Sequence, residues 1–234
     1  MTRKTNARLA GFTFLFYIAV GLTAMAFDRR AADIPGTLGT AGKLASLAAH
    51  AGDVRTTLVL TVLMGLSALV LAVTLHALTR DEDAELARLA MFCRVGEGLV
   101  GFAGIPPALG LLQLATSATS ATSATAAGAV DPAAANALGG YLLDVGDGGA
   151  LVCSILFAVG STLFCWLFLR ARTIPAVLAW SGLVASTLLV VALPARLGGL
   201  LAGPAAGYVW MPMLLFEIAF ALWLMVRGVA AREP

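Results

Sequence analysis

Arg94, Glu97 and Glu217 are the residues whose types and setting point to chemistry, because each stands inside a long apolar run. Arg94 and Glu97 lie in Phe92-Cys93-Arg94-Val95-Gly96-Glu97-Gly98, three positions apart, on one helical face and within pairing reach. Glu217 lies in Met211-Pro212-Met213-Leu214-Leu215-Phe216-Glu217-Ile218. An ionisable side chain in hydrocarbon is costly, so its presence is by itself a functional-site hypothesis. One guanidinium facing two carboxylates leaves surplus negative charge, to be balanced by a proton on one acid, a bound cation or a positively charged ligand. The leading reading is a polar intramembrane pocket that binds or transports a small ligand, linked to a proton. A second is an embedded enzyme with Glu97 or Glu217 as acid or base and Arg94 holding an anionic group. A third is a structural or accessory subunit in which the Arg94–Glu97 pair pins helices together.

Other polar residues are weaker candidates. His76 stands near the end of an apolar run with no second histidine there to complete a metal set, and reads as a hydrogen-bonded interface residue. Asp144 and Asp147 are expected to cap the helix that follows them, an outer cation site being the alternative. His50 carries no evident role. Cys93, Cys153 and Cys165 fall in apolar runs without Cys-x-x-Cys or Cys/His spacing, so no disulfide and no metal site is inferred. Nothing in the chain names a cofactor.

The elements that must position these residues follow from composition. Of 234 residues 60% are apolar and only 12% charged, about half the charge of a soluble globular chain. That excludes an ordinary water-soluble domain. A net charge of +2, with no basic patch, gives no reason to invoke nucleic acid. We expect an all-α, polytopic transmembrane bundle forming one domain, with six spans at about 11–27, 57–78, 89–114, 149–169, 176–193 and 209–229. The first is read as an uncleaved signal anchor, although Ala24-Met25-Ala26 resembles a cleavage site. Asp33-Ile34-Pro35-Gly36 signals a turn, and Leu44, Leu47, Ala48 and Ala51 recur at helical spacing, as in a short interfacial helix.

Pro106-Pro107 should kink or break span three near its far end. Residues 115–148, opening with a repeated Ala-Thr-Ser tract, have little to bury and read as a flexible outer loop. Arg3, Lys4, Arg8, Arg80, Arg88, Arg170, Arg172, Arg227 and Arg232 fall on one side, which places both termini in the cytoplasm. Tyr141, Tyr208 and Trp210 then sit at the outer interface. Counted inward at about 1.5 Å per residue, Arg94 lies roughly 9 Å deep, Glu97 roughly 13 Å and Glu217 roughly 16 Å, so one cluster is possible. Gly96, Gly98, Gly101 and Gly104 leave one side of span three nearly bare, suited to close helix packing or to a cavity. The lipid bilayer is the expected partner, and an oligomer is possible.

Four features also carry a family likeness: Arg8-Leu9-Ala10-Gly11, Phe92-x-Arg94-x-x-Glu97, Ile174-Pro175, and Pro212-x4-Glu217-x4-Leu222-Trp223-Leu224 before Arg227-Gly228. In order and spacing they resemble the bacterial membrane family catalogued as domain of unknown function 4386. The resemblance implies a multi-pass protein of the bacterial cytoplasmic membrane with about six helices, Arg and Glu in spans three and six, and no assigned activity. Thr61 and Ser67 stand where relatives often carry acids in span two, so that span is not expected to add acid or base chemistry.

Overall fold

The computed structural model describes residues 2–32, 39–121, 131–201 and 205–230. Among these the regular structure is helical throughout: α1 (Arg3–Ala32), α2 (Thr40–Ala49), α3 (Ala51–Thr79), α4 (Ala84–Ala103), α5 (Ile105–Ala121), α6 (Pro132–Ala171), α7 (Ala176–Leu197), α8 (Ala205–Tyr208) and α9 (Met211–Val226). Five stretches are long and apolar enough to cross a membrane, Arg3–Ala31, Ala51–Thr79, Ala84–Ala118, Pro132–Ala171 and Ala176–Leu197. The sixth expected span is the shorter apolar helix α9, of 16 residues. Gly228, at φ +73°, closes it by turning its N–H and that of Arg227 back onto the Trp223 carbonyl. The chain is thus a helical transmembrane bundle and a multi-pass membrane protein suited to a lipid bilayer.

α4 shows the membrane logic most directly. Its buried positions Ala87, Ala90, Arg94 and Glu97 recur every three or four residues and form an inward stripe. Beyond Arg88 its exposed positions are apolar: Leu89 51%, Phe92 63% and Leu99 57%. A helix that turns its charges inward and its largest apolar side chains outward is stable where the surrounding medium is hydrocarbon. The break foreseen at Pro106-Pro107 falls just before them, at Gly104 between α4 and α5. Both prolines then occupy the first turn of α5, where a missing N–H costs no helix bond.

The loop expected over 115–148 is largely helix. α5 runs on to Ala121 and α6 begins at Pro132, one residue after Asp131, whose Oδ1 accepts the Ala133 N–H at 3.3 Å. Alanine, the best helix former, recurs in both flanks, and Thr116 returns its hydroxyl to the Leu112 carbonyl inside the helix. The middle of the Ala-Thr-Ser tract and the Asp33–Gly36 turn lie outside the described residues. α2 is the short helix foreseen near Leu44, held by Ser46 Oγ donating to the Ala31 carbonyl.

The described residues group into two compact units, Met1–Ala19 with Met64–Val100 and Leu151–Pro234, and Val20–Leu63 with Gly101–Ala150. The large apolar core belongs to the first, running from Ala7, Ala10 and Phe14 through Leu71, Leu75 and Phe168 to Phe216, Phe220 and Leu224. In the second, α2 packs on α5, and Leu44 lies against Gly139. Close helix approach in the first unit depends on small residues. A Cβ at Gly98 would stand 3.1 Å from the Gly65 carbonyl oxygen, so α3 and α4 meet backbone to backbone there.

Candidate functional site

Arg94 and Glu97 are almost wholly enclosed, at 1% and 3% exposure, within the first unit. Arg94 Nη1 donates to Glu97 Oε2 at 2.7 Å, and Tyr17 Oη, from α1, donates to Glu97 Oε1 at 2.8 Å. Both carboxylate oxygens therefore have a donor, one of them charged, which is the pairing a buried carboxylate requires. Cys153, from α6, directs its Sγ–H to the Glu97 backbone carbonyl at 3.3 Å. The glycine side of α4 is used for packing near this pair. A Cβ at Gly96 would meet Leu156 at 3.2 Å, and one at Gly160 of α6 would meet Cys93, the Ala90 carbonyl and Arg94 between 3.1 and 3.4 Å.

Arg94 is only partly satisfied. Its guanidinium carbon lies over the Phe157 ring at 4.8 Å and the Phe14 ring at 5.7 Å, so aromatic faces replace water around the cation. Its Nε and Nη2, which lie along one edge of the guanidinium, have no hydrogen-bond partner. That edge carries two parallel N–H groups, the arrangement that binds a carboxylate or phosphate through two oxygens.

Glu217 joins the group at longer range. It is 5% exposed and lies within electrostatic range of Arg94, Glu97 and Tyr17. Yet Arg94–Glu97 is the ion pair found within the trio among the described residues, and Glu217 Oε1 has no hydrogen-bond partner. The three residues proposed from sequence thus share one buried neighbourhood without forming a single contact cluster. Around Glu217 the wall is aromatic. Phe216 and Phe220 stack at 5.4 Å, and Phe220 meets Phe168 at 5.3 Å and Phe14 at 5.6 Å, both edge to face. These rings, Ser161 and Glu217 itself line a small cavity. Its volume is about 10 Å³, room for at most one water.

The weaker candidates lie elsewhere. His76 is partly buried with Arg80 and Arg88 as its charged neighbours, apart from the trio's contacts. His50 Nδ1 sits 3.1 Å from the Ser46 carbonyl at the end of α2. Asp144 and Asp147 do not cap a helix: α6 begins twelve residues before Asp144, because the alanine-rich segment from Pro132 continues the helix, and both aspartates are exposed in its interior. No grouping of metal-ligating side chains occurs among the described residues. Sequence reasoning missed Tyr17, Phe14 and Phe157. A tyrosine in the middle of the first span was the available signal, since a buried phenol needs a partner and the acids of spans three and six were the partners in reach.

A model of the family described as Domain of unknown function (DUF4386) matches residues 9–228, nearly the whole chain. Neither a curated protein nor a solved structure matches it.

Proposed function

The chain belongs to that family of unknown function, and from this premise we propose that it binds or transports a small ligand bearing an anionic group, linked to a proton, at the buried site around Arg94. The observation that carries the reading is the unpaired Nε/Nη2 edge of an arginine that is 1% exposed. Leaving two buried donors unused costs roughly 1–3 kcal/mol each, and an oxyanion presented from within the bundle would recover it. Glu97, held by Arg94 Nη1 and Tyr17, keeps the guanidinium fixed while that edge stays free. Glu217 supplies the second acid, so ligand charge and proton occupancy can offset one another in a poor dielectric. The bacterial cytoplasmic membrane, with both termini inside, is the setting that the family and the distribution of arginines support.

A purely structural role is the competing reading. Arg94 and Glu97 lie on the same helix, however, so their ion pair joins no two helices; Tyr17 does that work through Glu97. Native mass spectrometry of protein released from lipid nanodiscs tests the proposal. We expect a co-purifying small anion on the wild type that is lost from the Arg94→Gln/Glu97→Gln double variant, which removes the pair without stranding either charge. An unliganded wild type, or the same adduct on the folded double variant, overturns it.

A further inference from the structure

We propose that Glu217 is a proton-binding site, holding its proton together with one water shared with Ser161 in the cavity beside it. The inference rests on the reading above in assigning the proton to one acid and the ligand to the other side of the cluster.

Three independent observations converge. The first is charge. Glu97 already takes both the Arg94 Nη1 donor and the Tyr17 hydroxyl, so the formal charge of Arg94 is matched before Glu217 is counted. Glu217 has no ion pair of its own among the described residues and is 5% exposed. A bare carboxylate so enclosed is far costlier than a neutral acid. The second is the unpaired Oε1: an ionised carboxylate would leave acceptor sites unmet in this enclosure, whereas the acid has fewer to satisfy. The third is the cavity beside Glu217, whose volume of about 10 Å³ admits at most one water and whose wall, otherwise almost wholly apolar, includes Ser161.

The surroundings argue against larger or differently charged occupants. Phe14, Phe168, Phe216 and Phe220 supply faces and edges rather than oxygen ligands, so a metal cation would lack the six or more oxygens that hard ions take. The ionisable groups facing Glu217 are Arg94 and Glu97 from α4, Tyr17 from α1 and Cys165 from α6. α7 contributes no ionisable group to this wall; Gly182 lies there against the Phe216 ring and Cys165. Phe14 lines the cavity and also underlies Arg94, so one ring is shared between the proton site and the guanidinium. Releasing the proton to water would place a new negative charge within electrostatic range of Arg94, in competition with an anionic ligand.

Infrared spectroscopy of the full chain, labelled with ¹³C-glutamate and held in nanodiscs, tests this at the carboxylic-acid carbonyl band. The expected result is a labelled protonated-carboxyl band at neutral pH, retained in Glu97→Gln and absent in Glu217→Gln. Ser161→Ala, a mild change that keeps the fold available if Glu217→Gln does not assemble, should shift the band to higher frequency as the acid loses its water bridge. A wild type without the band, or persistence of the band in Glu217→Gln, overturns the proton site. An unmoved band in Ser161→Ala overturns the shared water. Anion loss from the double variant can fail while the band remains, and the reverse, so failure of one reading is distinguishable from failure of the other.

Discussion

The turn between α3 and α4 and the interior of α4 are both built from charges, and they use them in opposite ways. At the turn, Arg170 reaches Glu82 at 3.3 Å and Asp83 at 3.6 Å, Arg3 reaches Asp81 at 3.6 Å and the Leu78 carbonyl at 3.3 Å, and Arg88 reaches Glu85 at 3.1 Å. Many charges meet there at loose distances, half in solvent, so no single pair matters much. Ten residues further along the same helix, one arginine and one glutamate meet at 2.7 Å with no solvent, and every polar atom counts. Abundant ion pairs therefore mark where the helices are tied together, and scarce, imperfectly paired ones mark where a function is to be sought.

Breaking one partner in each region tests that contrast. Arg94→Gln should have the largest effect, a loss of about 3–5 kcal/mol, because it strands Glu97 in the interior with only the Tyr17 hydroxyl. Unfolding in nanodiscs followed by circular dichroism measures it, and adding Glu97→Gln should recover much of the loss. A cost below about 1 kcal/mol would make the interior pair equivalent to the turn and dissolve the distinction. Tyr17→Phe should come next, at about 1.5–3 kcal/mol for a hydrogen bond to a charged acceptor, with little dependence on salt because the Glu97 acceptor is buried away from bulk solvent. Arg170→Ala should be smallest, within about 1 kcal/mol, and should fade further as ionic strength rises. Comparing the two salt series sharpens the contrast even if the magnitudes overlap.

Much of this organisation could be read from residue order, for physical reasons that differ by feature. The spans were legible because length and apolarity are one-dimensional properties, and Arg94 and Glu97 because a three-residue separation fixes their face whatever the tertiary arrangement. Depth arithmetic brought Glu217 to the right neighbourhood, but depth along a helix says nothing of its rotation, and the direct contact with Arg94 was not there to be had. Tyr17 and the phenylalanines escaped because they meet the site from α1 and α6, at separations of 80 residues and more than 50 from Glu97. Residues 115–121 and 132–148 are helical where low complexity alone suggests a loop. Their alanines favour helix even where they have little to bury.

The backbone meeting of Gly98 with the Gly65 carbonyl bears on how this protein can move. With the helix surfaces in contact at that level and the turn at 80–83 joining their ends, α4 has no room to roll about its own axis against α3. A side chain larger than glycine at position 98 would therefore push α4 away from α3 at the level of Gly65. Such a shift would be felt at once by Tyr17 and Cys153, whose bonds to Glu97 tie α4 to α1 and α6.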